Sequence, residues 1–229
     1  MNKKGKKRLA MFIFSVSLFL VLGGLGLLIK GSHESRSGTD QPEPTVLQVP
    51  PLAGVAEVFP DLNIREEFLT VNRFSRPGIS LQTNPQYIVI HYTANPGSTA
   101  EQNRSYFENL KDTQETFASA QFVIGLEGEI IQCVPCNEIA YCSNRLNDQC
   151  ISIELCHPDE TGSFNDATYN QCVYLVARLM NYYHIDMDHL IRHYDVTGKN
   201  CPKYFVEHAD RWEVFKGFVS QYREKYESE

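Results

Sequence analysis

Tyr87-Ile88-Val89-Ile90-His91 is a short apolar, β-branched run that follows Asn84-Pro85, and a run of this kind bounded by turn formers reads as a buried strand. It ends on a histidine. Working outward, residues 150–156 (CISIELC) read as a second central strand, in which alternation sets Ser152 and Glu154 on the face opposite Ile151, Ile153 and Leu155. Between the two, residues 121–124 and 129–134 flank Gly125-Leu126-Glu127-Gly128 and predict a hairpin. Thr99 with Gln102 fits a capping box that opens a helix through Leu110, with Tyr106, Phe107 and Leu110 on its apolar side. A second helix is expected from Asn165 or Asp166 to Tyr183, with Cys172, Val176, Leu179 and Tyr183 at helical spacing. A last one places Trp212, Phe215, Phe218 and Tyr222 on one stripe. Strands alternating with helices indicate an α/β architecture.

The chain has 229 residues, enough for one sizeable domain with accessory segments. Lys3, Lys4, Lys6, Lys7 and Arg8 precede an uncharged run of 20 residues, 10–29, closed by Lys30. That length is sufficient for a membrane-spanning helix. The basic flank predicts an N-terminus held in the cytoplasm and the rest facing outward, a single-pass anchor in the cell membrane. Secretion after cleavage of a signal peptide is the rival reading, but its apolar region would be shorter and end in small residues. Residues 31–62, rich in Gly, Ser, Pro and charge at their start, read as an extracytoplasmic stalk. Residues 63–229 are then a single domain. With 21 Lys plus Arg and 28 Asp plus Glu in the whole chain, and six of the positive charges within the first 30 residues, the remainder carries a formal charge of −13. Such a surface has no basic stripe to release counterions from phosphates, which argues against nucleic acid as a partner.

Residues 191–205 (IRHYDVTGKNCPKYF) gather His193, Lys199 and Cys201 on an expected irregular loop, because Gly198 and Pro202 oppose a continuous helix. His91, His193 and Cys201 together offer two imidazoles and a thiolate, a donor set suited to Zn2+ with its fourth position open. Six further cysteines remain, Cys133, Cys136, Cys142, Cys150, Cys156 and Cys172. They allow 15 pairings, and sequence does not choose among them. His157, His184, His189 and His208 lack metal-binding spacing, and neither H-E-x-x-H nor G-x-S-x-G occurs.

The segments YIVIHYT, SAQFVIGLEGEIIQCVP, ISIELC and RHYDVTGKNCP resemble the zinc-dependent N-acetylmuramoyl-L-alanine amidases of the bacteriophage-lysozyme and peptidoglycan-recognition type. The likeness runs from about Asn72 to the last helix and is most specific in HYDVTGKNCP. It implies a single mixed central β-sheet flanked by helices, and hydrolysis of the amide between the lactyl group of N-acetylmuramic acid and L-alanine in peptidoglycan. It places the zinc ligands on His91, His193 and Cys201, the general acid/base on Glu154 and an oxyanion-stabilising lysine on Lys199. Many members carry histidines where Gln121 and the segment 140–144 (with Tyr141 and Cys142) stand here, and some a tyrosine where Ala120 stands; the zinc ligands and the glutamate are kept, but the resemblance does not carry over the substrate-contacting groups. A non-catalytic peptidoglycan-binding protein of the same fold is the alternative. A structural zinc site is a third reading, and it needs a fourth ligand, with Cys156 or His157 as candidates.

Overall fold

The structure is a computed structural model and describes residues 49–227. Six strands form one mixed sheet: β1 (Ile64–Glu66), β2 (Tyr87–Tyr92), β3 (Phe122–Ile124), β4 (Ile130–Gln132), β5 (Cys150–Leu155) and β6 (Leu190–Arg192), in the spatial order β1-β4-β3-β5-β2-β6. Only the β3–β4 hairpin is antiparallel; β5, β2 and β6 run parallel at one end. The helices are α1 (Ala100–Thr113), α2 (Asp166–Tyr183), two short turns α3 (His193–Thr197) and α4 (Lys203–Glu207), and α5 (Ala209–Glu227). The α/β class with a single mixed sheet and flanking helices is therefore present.

Alternation along the strands divides the core as expected. Ile88, Ile90, Ile151, Ile153 and Leu155 pack with α2 and α5 residues such as Leu175, Leu179 and Phe215. On the other face Val123 and Ile131 pack with Phe107 and Leu110 of α1. Parallel strands need cover on both faces, and the helices supply it. Local signals fix the helix ends. Gln102 N–H donates to Thr99 Oγ1 at 3.2 Å while Thr99 N–H donates to Gln102 Oε1 at 2.9 Å, closing the capping box. Asn165 accepts from Thr168 N–H at 2.9 Å, and Asn165 Nδ2 also donates to Leu126 O at 2.9 Å, so the start of α2 is tied to the hairpin turn. In that turn Gly128 has φ +81°, a left-handed conformation that L side chains rarely adopt, and a Cβ there would also press on the Gln171 side chain at 3.0 Å, so glycine suits it.

Several expectations change. Tyr106 and Phe218 are 45% and 48% exposed. Each lies at the edge of its helix stripe rather than within it; the buried positions are Ala100, Asn103, Phe107 and Leu110 in α1 and Trp212, Phe215 and Val219 in α5. Residues 191–205 are not a plain loop, because β6, α3 and α4 occupy most of them, with Gly198 (φ 77°) ending α3. Upstream of residue 63, Val55, Phe59 and Leu62 are already buried in the core, and Val55 N–H donates to Gln132 Oε1 at 3.2 Å. The expected anchor at 10–29 and the stalk up to residue 48 lie outside the described residues. Among the described residues, no helix is long and apolar enough to cross a membrane.

Candidate active site

His91 and Glu154 face each other across neighbouring strands, since β2 and β5 pair in parallel with His91 opposite Glu154. Both sit near the C-terminal ends of parallel strands, the usual location for ligand sites in open α/β sheets. His193 follows directly from β6 as the first residue of α3. The turn after it is built by short-range chemistry. Arg192 NH2 and Nε donate to the two oxygens of Asp195 at 2.7 and 3.0 Å, and Arg192 NH1 donates to Phe205 O at 2.9 Å. Tyr194 N–H donates to Cys201 O at 2.8 Å, folding the chain back so that Cys201 returns beside His193.

Ligand atoms of His91, His193 and Cys201 lie within 4.8 Å of one another, and all three residues are buried. The imidazole rings are 4.6 Å apart between centroids. Cys201 Sγ is 3.8 Å from His91 Nδ1, and Glu154 Oε1 is 3.9 Å from the same nitrogen. The opposite nitrogen, His91 Nε2, is 3.3 Å from Ser143 Oγ. A hydroxyl behind the ring leaves Nδ1 as the nitrogen turned toward the sulfur. His193 Nδ1 and Glu154 Oε2 are buried with no hydrogen-bond partner. Buried polar atoms without partners are costly, and two imidazoles and a thiol that converge around them fit a cation of the zinc type. Cys156 and His157 are not among the converging atoms. His157 Nδ1 instead pairs with Asp159 O at 2.8 Å.

Burial pushes the Glu154 carboxyl up to about 7, against the lowering influence of His91 and Lys199. Burial likewise lowers His193 to about 4, with the charges of His91 and Lys199 acting in the same direction. Burial opposes protonation of His91 too, but hydrogen bonds to Cys142 and Cys201 and the charge of Glu154 outweigh it and raise its pKa.

These residues open into a groove of about 880 Å³, with His91, Glu154, His193 and Cys201 along it and Lys199 on its lining. Lys199 is exposed, so its ammonium is solvated. The groove also presents Tyr106, Phe117, Tyr141, Asn144, Asn147 and Thr197. Gln121 is fully buried; it accepts from Ser152 N–H and Oγ at 2.9 Å and donates to Glu138 O at 3.1 Å. It braces the sheet and does not line the groove. Ser143 was not singled out by the sequence: it is a fully buried loop serine with no motif to mark it.

A family model described as N-acetylmuramoyl-L-alanine amidase matches residues 81–204, a span that holds His91, Glu154, His193, Lys199 and Cys201. The chain belongs to the N-acetylmuramoyl-L-alanine amidase family. N-acetylmuramoyl-L-alanine amidase BlyA of Bacillus subtilis is 32% identical over 173 residues, 66% of this chain and 45% of that protein. N-acetylmuramoyl-L-alanine amidase CwlL of Bacillus licheniformis is 30% identical over 167 residues, 68% of this chain and 46% of that protein. The chain thus spans about half the length of the curated relatives it matches. The solved catalytic domain of XlyA superposes with a TM-score of 0.59 at 27% identity, covering 69% of this chain and 99% of that domain. This amidase family membership corrects one expectation. The relatives are amidases by name, against the single-pass membrane location and the membrane as a partner, and among the described residues, which do not include 10–29, no helix is long and apolar enough to cross a membrane.

Proposed function

We propose that the chain hydrolyses the amide joining the lactyl group of N-acetylmuramic acid to L-alanine in peptidoglycan, using a zinc ion held by His91, His193 and Cys201. The observation that carries this reading is the buried convergence of those three ligand atoms within 4.8 Å, with the Glu154 carboxylate 3.9 Å from His91 Nδ1, inside a member of this family. A zinc ion bound there would supply Lewis acidity toward water and the scissile carbonyl. Glu154 accepts the proton of the attacking water and returns it to the alanine nitrogen as the C–N bond breaks, which yields a lactyl carboxylate and a free amine. Lys199 offers its charge to the carbonyl oxygen as negative charge develops there. The groove extending from these groups gives a polymer room to lie across them. With every one of these residues present and brought together, nothing favours a non-catalytic recognition role.

The test is digestion of purified peptidoglycan by the full chain with and without a chelator, followed by mass analysis of the soluble fragments. Stem peptides that begin with a free L-alanine amine, lost on chelation and regained with added zinc, are expected. Cut glycan strands, or release indifferent to chelation, would overturn the reading.

A further inference from the structure

All seven cysteines fall within the described residues, and the fold separates most of them. Cys136 and Cys172, the latter in α2 itself, belong to the core on the α2 side, while Cys133 and Cys156 lie on the α1 side. Cys201 belongs to the candidate metal centre. Only Cys142 and Cys150 bring their sulfurs into contact, at 3.7 Å. Cys150 is fully buried as the first residue of β5, where pairing with Tyr87 of β2 holds it. Cys142 is partly exposed and lines the groove, so a small molecule can reach it. The loop between them is pinned by one side chain: Asn147 Oδ1 accepts from Cys142 N–H at 3.1 Å and from Ser143 N–H at 2.7 Å. The next residue along from Cys142 is Ser143, whose hydroxyl backs His91.

We propose that Cys142 and Cys150 form a dithiol site that is reversibly oxidised by a low-molecular-weight disulfide such as oxidised glutathione. This inference stands apart from the amidase reading. In the first step the Cys142 sulfur, as thiolate, attacks one sulfur of the external disulfide; a mixed disulfide forms and one thiol leaves. In the second, the Cys150 sulfur, having given up its proton, attacks Cys142 Sγ and displaces the second thiol. Two protein thiols become one S–S bond, and one external disulfide is reduced to two thiols that carry away the two protons. The roles follow from access: the sulfur that meets the oxidant is the one on the groove, and the one that resolves is the one buried behind it. Closure asks the sulfurs to move from 3.7 Å to a bond of about 2.05 Å, with Cys142 as the side that moves because Cys150 is held in β5. The product is a staple under the loop that carries Ser143.

The experiment equilibrates the full chain with mixtures of reduced and oxidised glutathione, alkylates the remaining thiols and maps the peptides. Cleavage after Arg145 separates the two cysteines, so a bridge appears as two linked peptides. The expected result is a loss of two alkylatable thiols, a link between Cys142 and Cys150 that dithiothreitol reverses, and a rise of roughly 5 °C in the unfolding midpoint of the oxidised chain. Cys142→Ser and Cys150→Ser each abolish the link. Full alkylation at every glutathione ratio, a link to any other cysteine, a mixed disulfide on Cys142 that never resolves, or a bridge that leaves the midpoint unchanged would each overturn the proposal. None of these readouts depends on peptidoglycan hydrolysis.

Discussion

The two faces of the same pair of strands have opposite chemistry. Toward α2 and α5, β2 and β5 present Ile88, Ile90, Ile151, Ile153 and Leu155, all at or below 1% exposure. On the opposite face the intervening positions are Val89 and His91 of β2 and Cys150, Ser152 and Glu154 of β5, of which His91 and Glu154 reach the groove. One face gains stability from apolar area removed from water. The other spends some of it, because Glu154 Oε2 and His193 Nδ1 are buried without partners. The apolar face thus fixes the register that sets His91 opposite Glu154, and the polar face holds the groups that chemistry requires.

The largest expected effect separates the faces most sharply. Glu154→Gln should lower turnover of peptidoglycan by about 100- to 10,000-fold, the range for losing a general acid/base. Zinc content measured by elemental analysis should be unchanged. Because burial raises the carboxyl to about 7 and so disfavours its ionised form, the neutral amide should also fold at least as well, as urea unfolding would show. A variant that retains wild-type turnover would remove Glu154 from the chemistry. On the opposite face, Leu179→Ala removes a fully buried side chain from the α2 core and should cost about 2–5 kcal/mol of stability. Activity per folded molecule, assayed well below the melting transition, should stay within about twofold; a collapse comparable to that of Glu154→Gln would mean that the faces are not separable.

What the sequence revealed follows the same division. β2, β5, the β3–β4 hairpin and the side of Glu154 were legible because alternation and turn residues act within a few positions, and the starts of α1 and α2 because Thr99, Gln102 and Asn165 carry their own capping chemistry, whereas the short edge strand β1 carried no such signal. The buried stripes of α1 and α5 are narrower than their apolar patterns, since Tyr106 and Phe218 are apolar enough to join the pattern while lying at its edge. β6 and α3 were hidden because so few residues make each, and their shape depends on Arg192 clamping Asp195 and reaching Phe205 O. The metal-type cluster was legible only through its residue types in a familiar motif. Ser143 was not, because its partner His91 lies 52 residues away and a serine in a loop announces nothing. Likewise the contact between Cys142 and Cys150 is a product of the fold, not of the spacing.

Ser143 gives a subtler break. Ser143→Ala removes the hydroxyl 3.3 Å behind His91 Nε2 and leaves the ligands themselves in place. Outer partners of ligating histidines typically govern about 10- to 100-fold of metal affinity. Zinc retention against a competing chelator should fall by that amount, while urea unfolding of the metal-free chain shifts far less than in Leu179→Ala. Equal retention by the variant and the parent would show that His91 is oriented by the sheet alone.

The smallest effect is expected at the turn that delivers His193 and Cys201, and its sign can be worked out. Burial opposes ionisation of Asp195, but hydrogen bonds from the Arg192 side chain and backbone and the charge of that guanidinium outweigh it, holding the carboxyl below its usual range. A carboxyl depressed in the folded state binds its proton more readily when unfolded. Its contribution is therefore present above the unfolded value of about 3.9 and is lost as pH falls through the folded one. Asp195→Asn should be less stable than the parent at pH 7, and the gap should narrow as urea unfolding is repeated from pH 5 downward to pH 3. Because the pair also fixes where α3 begins, the same variant should lose some zinc retention at pH 7, less than Ser143→Ala does. A gap that stays constant with pH would show that Arg192 holds the turn through Phe205 O and not through the charge of Asp195.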